Sequence, residues 1–187
     1  MKKIKLKRKT RETNIIVSLI NKKFPIIKTG IGFFDHMLEQ FSFNSKFILN
    51  IIAKGDLKVD QHHTVEDVGI VLGKFFKKIK YFVKERYVNA FVAMDDSMTN
   101  FVVDVSGRGN VFFNFKLKKT LRDFNSELVF EFFKAFSINS KYTIHINNYG
   151  NDVHHRIESI FKAFGIAIKK IFKKKNIHNI NSTKFII

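Results

Sequence analysis

Residues 41–51 read FSFNSKFILNI and residues 136–146 read FSINSKYTIHI, so one segment of the chain occurs twice, 95 positions apart. In each copy, a stretch with helical spacing leads into a β-branched run that is typical of a strand. Self-similarity at a fixed spacing indicates a duplicated structural unit. We therefore predict an α/β (α+β) fold of two half-domains, residues 1–92 and 93–187, each combining a sheet, a short helix and a long helix.

The spacing of apolar residues gives the expected elements. It predicts strands at 13–20, 24–28, 46–53, 90–94, 101–105, 111–115 and 142–147, and helices at 34–43, 63–87, 127–140 and 153–174. We expect the strand at 24–28 to pair with the strand before it across the polar turn at 21–23. Gly69 and Gly73 lie inside a predicted helix, where each costs about 1 kcal/mol relative to Ala. We therefore expect that helix to pack closely on a sheet.

Each predicted half carries a pair of adjacent histidines followed by a glutamate. The two stretches are DQHHTVEDVGIVLG at 60–73 and DVHHRIESIFKAFG at 152–165, and they supply His62, His63, Glu66, His154, His155 and Glu158. Adjacent residues on a helix point about 100° apart, whereas residues three apart share a face. We therefore expect His63 and Glu66 to hold one metal ion together while His62 faces elsewhere.

The repeat also predicts how the donors combine. Moving His36 forward by 95 positions reaches Glu131, a second possible ligand on the equivalent short helix. We predict one metal held by His63, Glu66 and His154, another held by His155, Glu158 and His62, with His36 and Glu131 completing the two sets. Imidazole and carboxylate donors with open positions are typical of a catalytic centre. They suit Mn, Fe, Zn or Ni, and the sequence does not choose among these metals.

Composition limits the classes of function. The 187 residues contain no Cys, which excludes disulfides, thiolate metal sites and cysteine nucleophiles. No apolar run approaches the roughly 18 residues of a membrane span, and no secretory signal is present. We expect a cytoplasmic protein without a membrane partner. The net charge of +18 fits a nucleic-acid partner, but Lys is spread along the whole chain, which favours a general compositional bias. A basic surface would also suit small anionic substrates such as phosphate esters.

With these residues in hand, the chain resembles the imidazoleglycerol-phosphate dehydratase family of histidine biosynthesis. The resemblance covers nearly the whole chain and is carried by RET at 11–13, TGIGFFDHMLEQ at 29–40, the two histidine stretches, DVSGRG at 104–109 and STK at 182–184. It implies a duplicated fold of the ribosomal-protein-S5-domain-2 type. It also implies two Mn²⁺ ions per active site and a shell of 24 subunits with sites at subunit contacts.

The resemblance further implies the reaction and its residues. The family dehydrates D-erythro-1-(imidazol-4-yl)glycerol 3-phosphate to 3-(imidazol-4-yl)-2-oxopropyl phosphate. The implied metal ligands are His36, His62, His63, Glu66, Glu131, His154, His155 and Glu158, and the implied substrate contacts are Glu12, Arg86, Arg108, Lys162, Ser182 and Lys184. Two positions depart from the common pattern: Glu131 stands where many members have His, and Gln61 stands where Asp is common.

The chemistry suggests roles for these groups. The ring would expel the hydroxyl through a diazafulvene-like intermediate while an acid–base group removes the side-chain proton. Glu12 is the candidate for that group, and the catalytic set also includes His63, Glu66, His155 and Glu158. Arg108, in a glycine-flanked turn, can bind phosphate through two hydrogen bonds. Lys162 lies four residues after Glu158 and so shares its helix face.

Two other interpretations remain open at this level. A basic nucleic-acid-binding module would bind RNA in a salt-sensitive way and would not need the histidines. A non-catalytic scaffold would use metal only to assemble subunits, without turnover. The first does not explain the paired histidine clusters or their repetition, so we favour the enzyme.

Overall fold

The computed structural model describes residues 4–117, 120–121 and 124–172. The first half forms a four-stranded sheet with strands β1 Lys5–Lys9, β2 Thr13–Leu19, β3 Ile26–Lys28 and β4 Leu49–Gly55. The second sheet has strands β5 Tyr87–Met94, β6 Ser97–Asp104, β7 Asn110–Phe113 and β10 Thr143–Tyr149, and β8 Thr120–Leu121 pairs with β9 Phe124–Asn125. The helices are α1 Gly32–Ser45, α2 His62–Lys78, α3 Leu128–Ser140 and α4 Val153–Phe172.

The two sheets have the same connectivity, which confirms the predicted duplication. Their strand orders are β1-β2-β4-β3 and β5-β6-β10-β7. In each sheet the first three strands of that order are antiparallel, and the last pair is parallel. The predicted division after residue 92 stays a prediction. Because β5 begins at Tyr87 and pairs with β6, we propose that the boundary lies between residues 82 and 87.

Two expectations about the first half are wrong. Residues 24–28 do not form a hairpin with β2, because β3 pairs in parallel with β4, placing Ile27 opposite Ile51. The strand β4 lies between β2 and β3 instead, and its alternate residues are fully or nearly buried. The helix expected to reach Tyr87 ends at Lys78, since Ile79 is the last buried residue and exposed side chains follow it.

The helices of one half pack on the helices of the other. The short helix α1 lies on α4, and the short helix α3 lies on α2. A Cβ atom at Gly73 would lie 2.6 Å from the Phe136 carbonyl oxygen, and one at Gly165 would lie 2.7 Å from the Phe41 carbonyl oxygen. Glycine in the long helices therefore allows close helix–helix contact, and the expected packing of Gly69 and Gly73 on a sheet is wrong.

The repeated FSxNSK segment ends each short helix in the same way. Lys46 and Lys141 adopt left-handed backbone conformations with φ of 62° and 67°. Ser42 Oγ donates to the Phe47 carbonyl oxygen at 2.6 Å, and its counterpart Ser137 Oγ donates to the Tyr142 carbonyl oxygen at 2.6 Å. The segment is repeated because each half needs the same sharp turn from helix into strand.

The core lies between the two sheets, among the helices, and Phe dominates it. Eleven Phe side chains are among the largest fully buried residues, and the rings of Phe41 and Phe164 stack at 4.2 Å across the α1–α4 contact. This shared core makes the two halves one packing unit. Within the described residues, none of the helices combines the length and apolar character needed to cross a bilayer.

Candidate metal centre and substrate site

Three donor atoms converge where α1 crosses α4. His36 projects from α1, and His154 and Glu158 project from one face of α4, with one ligand atom of each within 4.8 Å of the others. His154 Nε2 lies 3.2 Å and His36 Nε2 lies 3.6 Å from Glu158 Oε2. Donors about 2.1 Å from a single ion are separated by roughly 3.0–3.4 Å. The His154–Glu158 distance lies in this range and the His36–Glu158 distance is slightly longer, so the three residues form an N₂O donor set that could hold a divalent metal after a small adjustment.

Glu158 is held in place by a lysine from its own helix. Only 5% of Glu158 is exposed, and its Oε1 accepts a hydrogen bond from Lys162 Nζ at 2.9 Å, which leaves Oε2 facing the two histidines. Burial alone raises the pKa of the Glu158 carboxyl. The hydrogen bond and charge of Lys162, together with His36 and His154, outweigh burial and leave that pKa below its usual value. The carboxylate is therefore ionised and ready to bind a cation.

The corresponding pair in the first half is more open. His62 Nε2 lies 3.6 Å from Glu66 Oε2, and both side chains are partly exposed. His62 also lines a cavity of about 400 Å³ together with Glu131 of α3 and the carboxylates Asp60 and Glu127. The elements thus bring His62 and Glu131 to one cavity, and the ligand role of Glu131 stays a prediction.

The expected pairing of each glutamate with the second histidine of its pair is wrong within the chain. Glu66 lies beside His62, and Glu158 lies beside His154, which are four residues away in each case. A helical step of 100° leaves residues four apart only about 40° out of line, compared with about 60° for residues three apart. His63 and His155 lie about 100° further round their helices, and their ring centroids are 6.1 Å from that of His62 and 6.0 Å from that of His154, respectively.

His63 and His155 each face a carboxylate from a strand hairpin. His63 Nδ1 lies 3.2 Å from Asp56 and 3.9 Å from Glu12, which precedes β2. The hydrogen bond to Asp56 raises the pKa of His63 above its ordinary value. His155 Nδ1 lies 3.4 Å from Asp96, which precedes β6. Glu12 and Asp96 thus occupy equivalent positions in the two halves.

Sequence reasoning missed Asp96 and Asp56. Asp96 accepts hydrogen bonds from the backbone N–H groups of Asn151 and Asp152 at 2.7 and 3.1 Å, which lowers its pKa to about 2. A carboxylate on one imidazole nitrogen fixes the ring so that the other nitrogen can bind a ligand. The equivalence of Glu12 and Asp96 was hidden because their offset, 84 positions, differs from the offset of the repeated segment.

The predicted phosphate contacts lie at the far end of the second sheet. Arg86 Nε donates to Asp104 at 2.8 Å, and Arg108 Nη2 lies 3.8 Å from the same carboxylate. Arg108 is highly exposed. Asp104 ends β6, whereas Asp96 precedes it, so about 23 Å of strand separates the arginines from the His155 end. Arg86 and Arg108 are therefore far from the His155 end of their own chain, whereas Lys162 contacts Glu158 directly. Ser182 and Lys184 lie outside the described residues.

Comparisons with known proteins point to one family. The family model for imidazoleglycerol-phosphate dehydratase matches residues 29–168. The imidazoleglycerol-phosphate dehydratase of Caldanaerobacter subterraneus subsp. tengcongensis is 46% identical, with 100% of both chains covered. That of Nitratiruptor sp. is 40% identical over 98% of this chain and 100% of its own.

Solved structures give the same result for the fold. The crystal structure of imidazoleglycerol-phosphate dehydratase from Staphylococcus aureus aligns with a TM-score of 0.77 at 37% identity, covering 90% of this chain and 97% of that one. The structure of IGPD from Pyrococcus furiosus in complex with (S)-C348 aligns with a TM-score of 0.84 at 32% identity, covering 97% of this chain and 100% of that one.

Proposed function

The chain belongs to the imidazoleglycerol-phosphate dehydratase family, and from that premise we propose that it dehydrates D-erythro-1-(imidazol-4-yl)glycerol 3-phosphate to 3-(imidazol-4-yl)-2-oxopropyl phosphate and water. This reaction would place it in L-histidine biosynthesis, in the cytoplasm. The observation that carries the proposal is the three-donor set of His36, His154 and Glu158, because an elimination from an imidazole-bearing substrate needs a charge-stabilising centre beside the ring.

We assign two Mn²⁺ ions to each active site. His36, His154 and Glu158 would hold one ion, and the pair His62 and Glu66 with Glu131 would contribute to the other. When bound, the metal would stabilise the deprotonated substrate ring and polarise the departing oxygen. His63 and His155 contact Glu12 and Asp96 instead of the glutamates of these sets, so they would serve as ligands to ions shared with neighbouring copies.

Glu12 is the proposed acid–base group. It sits in the β1–β2 hairpin with an exposed carboxylate 3.9 Å from His63 Nδ1, so it can approach a substrate bound by that histidine. Its carboxylate would take the proton from the side-chain carbon, and water would leave from the carbon next to the ring. The resulting enol would convert to the ketone product.

The phosphate would bind to cationic and hydroxyl groups, of which Lys162 lies beside the metal ligand Glu158 and the two arginines lie at the other end of β6. We propose Arg86 and Arg108, aligned by Asp104, together with Lys162, Ser182 and Lys184. Because the arginines lie about 23 Å from the chain's own His155 end, a complete site would combine residues of different copies. This requirement supports self-association, which we propose to be a 24-subunit shell. The proposed partners are a small phosphate ester and further copies of the chain, without nucleic acid or membrane.

The test is an assay of purified protein that has been stripped of metal and reloaded with Mn²⁺. Ketone formation from the imidazole substrate is expected, and Glu12→Gln should lower kcat at least about a hundredfold while leaving the bound Mn²⁺ unchanged. An unaltered turnover of Glu12→Gln would remove Glu12 as the base. Loss of all turnover in the reloaded wild-type protein would contradict the proposed function.

A mixing experiment tests the composite site. Arg108→Ala subunits lack a phosphate contact and should have low activity at substrate concentrations well below KM. Glu158→Gln subunits lack a metal donor and should be nearly inactive at any substrate concentration. After the two are dissociated and reassembled together, some sites would combine two intact contributions and recover activity. If each chain forms its own site, the mixed assembly should show no more activity than the two variants measured separately.

A further inference from the structure

We infer that the two metal centres of each chain are unequal: the His36, His154 and Glu158 centre is the tight, nitrogen-preferring one, and the His62, Glu66 and Glu131 centre is an exchangeable, oxygen-preferring one. This inference rests on the proposed metal-dependent function and concerns how the two centres differ. It is carried by three differences between halves that otherwise repeat the same topology.

The first difference is the donor set. The short-helix donor is His36 in one half and Glu131 at the equivalent position of the other. The α1–α4 centre therefore offers two nitrogens and one oxygen, whereas the α2–α3 centre offers one nitrogen and two oxygens. Imidazole suits Zn, Fe and Ni, while carboxylate suits Mg, Ca and Mn. The two centres therefore offer ligand sets that favour different metal ions.

The second difference is how the shared glutamate is held. Glu158 is buried, and Lys162 fixes one of its oxygens at 2.9 Å. The residue equivalent to Lys162 in the first half is Ile70, which has no charge. The Glu66 side chain is 44% exposed, compared with 7% for Glu158. The α1–α4 centre therefore loses less conformational entropy when it binds an ion.

The third difference is the space around the donors. Within residues 4–117, 120–121 and 124–172, the three donors that lie within 4.8 Å of one another are those of the α1–α4 centre. His62 and Glu131 instead line a cavity of about 400 Å³, which also presents Asp60 and Glu127. Additional carboxylates around an open space attract a hydrated cation but do not close on it, which favours faster exchange.

Metal binding to the full-length, metal-free protein tests the inference directly. Co²⁺ would be followed by its visible absorption and Mn²⁺ by the electron paramagnetic resonance signal of the free ion. We expect two classes of Co²⁺ site that differ in affinity by about tenfold or more, with the tight class lost in His36→Ala. Added Mg²⁺ should displace Mn²⁺ from the weak class first.

The substitution Glu131→His gives the second centre the donor set of the first. It should raise the Co²⁺ affinity of the weak class by about tenfold, bringing the two classes together. Glu127→His makes the same chemical change on the same cavity wall, at a position that does not match His36, and should leave the classes apart. Equal classes in the wild type, or identical effects of the two substitutions, would overturn the inference.

The outcomes also separate this inference from the proposed function. A protein that dehydrates the substrate with two equivalent metal classes would refute only the inequality. A protein that binds no divalent metal would refute both the proposed function and the inequality. A protein that binds metal in two unequal classes without turnover would refute the proposed function only.

Discussion

The substitution Gly165→Ala should loosen the contact between α1 and α4. The new Cβ would lie 2.7 Å from the Phe41 carbonyl oxygen and 3.0 Å from the Ser45 nitrogen, and neither backbone atom can rotate away. The helices must separate by about 0.7 Å to reach ordinary van der Waals contact. Overpacking of this kind lowers the free energy of unfolding by about 1–3 kcal/mol. The better helix propensity of Ala raises it by about 1 kcal/mol. The net loss expected from these two terms is up to about 2 kcal/mol.

The same displacement reaches the metal donors. His36 lies on α1, and Glu158 lies on α4, so separating the helices widens the distance between their ligand atoms. Sites must be held to within about 0.5 Å to keep their function, so we expect the affinity for divalent metal at this centre to fall by about tenfold. Urea unfolding of the metal-free protein measures the first effect, and metal titration measures the second.

Gly32→Ala is the matched control. It also adds one methyl group to a glycine of this helix pair, but at the start of α1, where the Cβ would meet no atom within 4 Å. Its stability should equal or slightly exceed that of the wild type. If Gly165→Ala were as stable as Gly32→Ala and bound metal normally, the glycine contact would not set the spacing of the two helices.

Three further predictions follow from the site. Arg108→Ala should raise KM at least tenfold with little change in kcat, whereas Lys7→Ala, on the exposed edge strand, should leave both constants unchanged; steady-state kinetics would show the difference. In the metal-free protein, His63 should titrate above 6.5 by NMR, and Asp56→Asn should return it toward that value. Because folding raises this pKa, its contribution to stability is complete below pH 6.5 and is lost as the pH rises through the folded-state pKa; an unshifted His63 titration would contradict the assigned hydrogen bond. Chelation should lower the free energy of unfolding by about 2.7 kcal/mol relative to protein at a Mn²⁺ concentration 100 times Kd, measured by denaturation with and without chelator.

The duplicated fold could be predicted from the sequence because repetition and periodicity are visible in short stretches of it. The segment FSxNSK marks identical helix ends, and the buried positions of α2 follow its spacing. The position of β3 could not be predicted from the sequence, because its pairing with β4 depends on the order of the strands in the folded sheet. The strand β1 was also missed, since its alternating lysines resemble a solvated segment rather than a strand.

The site could be predicted only in part, because the sequence gives residue types and repetition but not three-dimensional contacts. The histidines and Glu158 could be selected by residue type and repetition, but their pairing depended on the helical angle between positions four apart. The role of Glu131 was indicated by the repeat, and the cavity it shares with His62 supports the equivalence. Asp96 could be found only after the hairpin between β5 and β6 was placed next to α4.

The reciprocal packing of the helices has a consequence for how the molecule could be divided. Since α1 rests on α4 and α3 rests on α2, a cut in the connection between residues 82 and 87 would leave two polypeptides, each with a bare aromatic surface. Neither piece should be soluble alone, yet mixing them should reconstitute the native assembly. The present chain is, in this sense, a tethered heterodimer, and the equivalence of its two halves makes the α1–α4 contact the counterpart of the α2–α3 contact.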